Sequence, residues 1–520
     1  MSWQTPFSPR CPAVRGWLVH RRTFLATGLA AAFAGPSIAW GAPATVQPGG
    51  AETVLQLALE LSRKPFVPPA RDAADAAKKL TYDQFRDIRF RPDKSIWRGA
   101  ALGYELQLLP GGWIYDLPIE IDILDDGKLQ PLTADPSYFS FGRLTEPLAK
   151  DVHLSLSGFR VHAPINRSDY LDEIVVFQGA SYFRAVARGQ VYGLSARGLC
   201  INTGQPEGEE FPIFRSFYIE KPGKDAPQIV IHALLDSPST TGAYRFAIAP
   251  GNETTMDVEA TLFPRTTLQH AGIAPLTSMF MHGSASLRRD SDFRPAVHDS
   301  EGLSIRNGLD ERIWRPLTNP RTLQASAFLD HGPKGFGLEQ RDRSFATFED
   351  LEAHYERRPS LWVEPTSDWG DGSVQLLEIP ASEEIHDNIV AYWSPAAPLQ
   401  AGQSHRFTYR LSWCSSPPAA PAGLQASQTR MGITREGLIL AVVDFAGPAL
   451  AGLKALPAPD LTASAGAIAH LVVQPNEEIE GVRVSFTLDP QGAQLSELRL
   501  QLKSGGKAIS ETWLYRWTPV

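Results

Sequence analysis

After Phe90 the chain alternates apolar and polar residues in short runs, the period-two signature of half-buried strands. Ile119-Glu120-Ile121-Asp122-Ile123 is the cleanest case, and parts of 153–160, 228–233, 245–248, 256–262, 324–328 and 406–411 repeat it. Turn clusters such as Gly111-Gly112 and Asp125-Asp126-Gly127 separate the runs. Two segments depart from this period. Residues 51–63 set Val54, Leu57, Ala58 and Leu61 on one helical face, and 81–85 reads as a further brief helical turn. Strands at this density, with so few helices, predict an all-β antiparallel sandwich.

A run of Ser, Pro and Ala over 415–426 interrupts the pattern and reads as a semi-rigid linker. The large sandwich then spans 45–414. Beyond the linker, 427–520 carries short strand patterns at 438–445, 467–473, 482–488 and 495–502, and Trp513-Leu514-Tyr515-Arg516-Trp517 closes it. Its size and strand spacing predict a small immunoglobulin-like β-sandwich. Two domains also suit a chain of 520 residues, which is long for one core.

Residues 1–44 are expected to leave the mature protein. His20-Arg21-Arg22-Thr23-Phe24-Leu25 precedes an apolar, Ala-rich run, and Ala39 and Gly41 offer a cleavage site. The paired arginines resemble a twin-arginine export signal, which predicts a periplasmic protein. The apolar run is short for a bilayer, and nothing later is long and apolar enough to span one. Cys11 goes with the leader. Cys200 and Cys414 remain, expected as buried free thiols, although sequence does not decide whether they pair.

Composition narrows the function. An apolar share of 43% and a charged share of 20% are those of a globular protein. A net charge of −8 lacks the basic footprint that nucleic-acid binding requires. Phosphate-binding glycine loops, a nucleophile elbow and Cys-x-x-Cys are absent from the sequence. His270, His282 and His298 lack ligand spacing, so neither a metal nor another cofactor is expected.

What stands out is aromatic and acidic. Of twelve tryptophans, Trp314, Trp362, Trp369 and Trp393 fall in one stretch with Tyr355 and Tyr392. Sugar rings stack on such faces, and sandwich cores are filled by the same residues. Two acidic islands, Val297-His298-Asp299-Ser300-Glu301-Gly302 and Glu383-Glu384-Ile385-His386-Asp387-Asn388, could each supply one of the two carboxyls that glycosidic hydrolysis needs. Ordinary turn capping explains either island equally well.

The chain resembles the periplasmic glucan biosynthesis family, the G and D types that build osmoregulated periplasmic glucans. The likeness runs through 179–186 (Gly-Ala-Ser-Tyr-Phe-Arg-Ala-Val), 192–199 (Tyr-Gly-Leu-Ser-Ala-Arg-Gly-Leu), 233–237 (Ala-Leu-Leu-Asp-Ser) and 241–246 (Thr-Gly-Ala-Tyr-Arg-Phe). It continues through 272–280 (Gly-Ile-Ala-Pro-Leu-Thr-Ser-Met-Phe), 314–317 (Trp-Arg-Pro-Leu), 335–338 (Gly-Phe-Gly-Leu) and 358–365 (Arg-Pro-Ser-Leu-Trp-Val-Glu-Pro). Residues 387–390 (Asp-Asn-Ile-Val) and 510–515 (Ser-Glu-Thr-Trp-Leu-Tyr) end it. The twin-arginine leader resembles the D type more than the G type.

This resemblance implies a large galactose-mutarotase-like β-sandwich, a small immunoglobulin-like one, and a β-1,2-linked glucan in a cleft of the large domain. It implies an endo-acting, inverting β-1,2-glucanase. Asp387 would be the general acid, Asp299 the base acting on water through a hydroxyl relay, and Glu384 the support of the acid. Tyr355 would lie along the cleft, and Trp362, Arg315 and Trp393 are the other expected sugar contacts. Other periplasmic or inner-membrane glucan biosynthesis proteins are expected partners. The rival expectation is a glucan-binding scaffold that shapes or escorts the nascent backbone. A mutarotase or epimerase rests on fold analogy alone.

Overall fold

In the strand Thr254–Pro264, Met256, Val258, Ala260 and Leu262 point inward and are buried, while Asp257 and Glu259 point out. The neighbouring strand His405–Cys414 answers with arginines: Arg410 lies opposite Asp257 and bonds it at 2.7 Å, and Arg406 reaches Glu259 at 2.7 Å. One face buries hydrocarbon and the other pairs charge across strands, which fixes the register.

The structure, a computed structural model, describes residues 50–69, 79–148, 154–287, 292–417, 423–451, 453 and 455–519. The expected leader, 1–44, lies outside the described residues, as do 418–422 of the expected linker. Strands built this way form two large sheets, one of ten strands and one of fifteen. The ten-stranded sheet runs from Glu105–Pro110 through Tyr182–Ala185 and Ala271–Ser278 to Ile389–Pro395 and Gln324–His331. Its inner aromatics meet those of the larger sheet: Phe159 stands edge-on to Phe217 at 5.0 Å and Phe177 to Phe246 at 5.3 Å. The result is the expected all-β sandwich, with one main core between the layers.

The helix Ala51–Ser62 forms where the period is helical. It buries Val54 and Ala58 against Tyr218, Leu234, Ala243 and Phe263 on the outer face of the larger sheet. The brief helix Tyr82–Asp87 begins with a capping box between Thr81 and Gln84.

Past Gly423, a sheet of four strands carries Gln425–Ile433, Ile439–Ala446, Gly481–Asp489 and Ala467–Asn476. Its opposing layer, Ala458–Ala463, Ser496–Ser504 and Thr512–Trp517, is not separate. It continues the fifteen-stranded sheet, because Ile313 and Trp314 pair in parallel with Thr512 and Trp513. Trp314 joins the second core around Phe445, Phe486 and Trp513. Tyr515 donates to the Ala285 carbonyl at 2.9 Å, and Arg341 joins Glu511 at 2.6 Å. The small sandwich is thus bonded into the large one.

Cys200 and Cys414 are both free and buried. No helix among the described residues is long and apolar enough to cross a membrane.

Candidate functional site

The segment Met279–Phe280 gathers the two acidic islands. The strand Phe280–His282 pairs with Val297–His298, with Phe280 opposite His298. One residue on, the Asp299 N–H donates to the Met279 carbonyl at 2.8 Å, and the hydroxyls of Ser278 and Ser300 bond at 2.8 Å. From the other side comes Asn388. Its amide accepts from the Phe280 N–H at 2.8 Å and donates to the carbonyls of Phe280 at 2.9 Å and Ile379 at 3.1 Å. A buried amide that matches three backbone groups is a rigid clamp. It holds Asp387 at the entry to strand Ile389–Pro395, and Asp387 lies close enough for its charge to act on Asp299.

Each carboxylate has a guanidinium partner. Asp299 is buried and bonded to Arg358. Burial raises its carboxyl above the usual range, Arg358 opposes this, and the Asp387 charge raises it further. Gly193 lets Arg358 through: a Cβ there would stand 2.9 Å from that of Arg358. Asp387 keeps 29% of its side chain exposed and faces Arg184 at 3.7 Å, whose Nε donates to Ser195 Oγ at 2.6 Å. Glu384 accepts from Tyr355 Oη at 3.2 Å and pairs with Arg294 at 2.9 Å. Arg294 is itself held by Asp350 at 2.8 Å and Asp292 at 2.7 Å.

The floor is packed. Burial drives the His298 imidazole down to about 4, so it is neutral. Its ring stacks on Phe280 at 5.3 Å, and its Nδ1 donates to Gln340 Oε1 at 2.8 Å. The Gln340 amide donates in turn to the carbonyls of His298 at 3.0 Å and Tyr355 at 3.1 Å. Tyr355 is buried against Phe348, with Arg358 over its ring at 4.3 Å. It reaches the site through its hydroxyl rather than along a cleft wall.

Asp299, Asp387, Glu384 and Tyr355 therefore come together. The other three expected sugar contacts do not join them. Trp393 is wholly buried beside Trp369 in the main core. Trp362 is buried over the bare backbone of Gly335 and Gly337, where a side chain must fill the gap glycine leaves. Arg315 is buried because Glu378 lies opposite it at 3.1 Å and neutralises it. All three are corrected from sugar contacts to interior packing. Arg184, Arg294, Arg358 and Gln340 take their place around the acids. Arg184 and Arg358 sit inside stretches that carry the family likeness, while Arg294 and Gln340 have no local signature.

A family model described as "Periplasmic glucan biosynthesis protein, MdoG" matches residues 50–517. The chain belongs to the periplasmic glucan biosynthesis family. Among its relatives, "Glucans biosynthesis protein G" of Vibrio cholerae serotype O1 is 49% identical over 475 residues, covering 90% of this chain and 86% of that one. The protein of the same name from Shewanella frigidimarina is 47% identical over 471 residues, covering 90% and 84%. These family members carry the G name. The expected nearness to the D type rested on the leader, outside the described residues. No group of three or more His, Cys, Asp or Glu side chains among the described residues is arranged to hold a metal ion.

Proposed function

We propose that this family member is exported to the periplasm by its twin-arginine leader and controls the glucose backbone of osmoregulated glucans as an endo-acting, inverting β-1,2-glucanase. The observation that carries the reading is the convergence of Asp299 and Asp387 on the two sides of Met279–Phe280. In this reading Asp387, the more accessible acid, protonates the leaving glycosidic oxygen. Asp299 takes the proton from the attacking water through a hydroxyl relay. Glu384, held by Tyr355 and Arg294, steadies the acid's side of the cleft. Inversion leaves room for a water between two carboxyls about 6.5–9.5 Å apart, and a relay tolerates more.

A second reading has its own support. Both aspartates already face guanidinium groups, Arg358 and Arg184, and such pairs bind sugar hydroxyls without any chemistry. In that case the protein is a glucan scaffold acting beside other glucan biosynthesis proteins. Incubation of the purified protein with linear β-1,2-glucan separates the two. Shorter chains whose new reducing ends appear first as the α-anomer support the inverting hydrolase. Chains bound but unchanged in length support the scaffold.

A further inference from the structure

The face of the ten-stranded sheet turned away from the main core carries arginines. Phe159, Phe177 and Phe183 lie opposite one another on three adjacent strands and stack inward, each pair at 5.2 Å. The adjoining residue on each strand points the other way, so Arg160, Val176 and Arg184 make the matching row outside. Gln107 extends that row by one strand, opposite Arg160. The helix Tyr82–Asp87 and the strand Ile88–Phe90 stand over this end of the sheet and bring Arg86 and Arg89 to it. A cavity of about 520 Å³ lies between them.

The charges around this cavity do not balance. Arg86, Arg89 and Arg160 line it, and no carboxylate does. Arg86 and Arg89 are exposed and make no ion pair among the described residues. Glu173, outside the lining, takes Arg160 Nη1 at 3.0 Å, yet the Arg160 side chain stays 42% exposed and its Nε has no partner. Three guanidinium charges thus meet one carboxylate, and a hollow with surplus positive charge attracts an anion. Its volume is more than a bare ion requires and falls within the about 300–1,000 Å³ of small-molecule sites. Gln107 and Gln178 each spend an amide hydrogen, on Ser95 at 3.3 Å and on Ser157 at 3.0 Å, and keep the rest of the amide for a ligand's hydroxyls.

We propose that Arg86, Arg89 and Arg160 form a binding site for a small polyhydroxylated anion, a sugar phosphate or sugar acid. Guanidinium forks take phosphate or carboxylate oxygens in pairs, and the Phe85 and Phe90 rings face the carbon frame. The site is separate from the acids, because Arg184, which faces Asp387, does not line it. It stands or falls independently of the glucanase reading.

Calorimetric titration of the purified protein at low ionic strength with glucose-6-phosphate, glucuronate and glucose isolates the charge, since the three share one ring and differ at one carbon. The wild type binds the anions at least about 10-fold tighter than glucose, and added salt erodes that margin. The tighter of the two anions names the class. Arg86→Gln/Arg89→Gln loses the margin while its Tm holds, both side chains being exposed and unpaired. Arg160→Lys keeps a charge for Glu173 but not the fork, so the margin shrinks by about 3-fold. That variant decides the matter alone if the double one fails to fold. Arg184→Gln keeps the full margin. Anions that bind no tighter than glucose, or a margin untouched by the Arg86, Arg89 and Arg160 substitutions, overturn the site. A margin lost in Arg184→Gln places the anion at the acids and overturns it as well.

Discussion

Two carboxylate–guanidinium clusters lie in the same sandwich and differ in one respect. Asp236 is fully buried, and Arg215 takes one of its oxygens while Arg265 takes the other, each at 2.8 Å. Arg265 is further spent on the carbonyls of Leu61 at 3.0 Å and Thr240 at 3.2 Å. Helix, turn and strand are thereby tied together with every strong acceptor filled. Asp387 and Glu384 keep 29% and 42% of their side chains exposed, and Arg184, which faces Asp387, is itself 42% exposed. A saturated cluster holds a fold; an unsaturated one next to a second acid is free to meet a substrate. Pairing with arginine alone does not tell the two apart, while residual access and convergence do.

Exchanging one residue in each cluster breaks or sharpens the contrast. Asp387→Asn removes the proposed proton donor and keeps shape, so on the hydrolase reading glucan cleavage falls by about 10³-fold or more while glucan affinity stays within a few-fold. End-product analysis beside calorimetry checks both. Asp236→Asn has the reverse signature. It leaves one nearly buried guanidinium, Arg265, and one partly exposed, Arg215, short of a charge and destabilises the fold by about 3 kcal/mol, read as a shift in denaturant midpoint. Whatever Asp236→Asn protein remains folded cleaves normally. An Asp387→Asn enzyme that still cleaves would remove the acid assignment.

Arg358 gives a smaller effect with a definite sign. In the proposed reaction Asp299 works ionised, so activity is lost as pH falls through its pKa. Burial raises that pKa and Arg358 opposes the rise. Arg358→Gln removes the opposition, so the pKa climbs and the acid limb of kcat/KM moves to higher pH by about 1 unit or more. Gly193→Ala, which displaces Arg358 without deleting it, moves the limb the same way by less. An acid limb that stays put in both variants shows that Asp299 is not the base.

These tests turn on features of unequal legibility. The alternation at 256–262 and 406–411 gave each strand its inward face, because period two is a local property of the chain. Partners are not local. The parallel pairing of Ile313–Trp314 with Thr512–Trp513 joins the two sandwiches into one sheet, and no pattern in either segment points to the other. Residue type was a poor guide to the site for a related reason. Trp362 and Trp393 suit a sugar platform and a core equally, and only Gly335, Gly337 and Trp369 around them decide for the core. Arg315 went inside because Glu378 awaited it. The acids themselves were found through family likeness. Their meeting depends on Asn388, which follows Asp387 in the chain and whose amide does the fastening.

The finest test concerns Tyr355, which stands between the two kinds of cluster: its ring is buried like a core residue, and its hydroxyl belongs to the site. Tyr355→Phe keeps the ring against Phe348 and under Arg358, and removes only the 3.2 Å bond to Glu384. Glu384 retains Arg294 at 2.9 Å, so it stays in place but loses one of two restraints. The stability change is about 1 kcal/mol or less, the worth of one partly exposed hydrogen bond. If Glu384 steadies the reacting end of the cleft, kcat drops by a few-fold, less than about 10-fold, while KM holds, since the lost restraint matters most at the transition state. A change in KM alone would instead make the Tyr355–Glu384 pair part of the glucan-holding surface. It would move that pair to the scaffold reading while leaving Asp387 and Asp299 where they are.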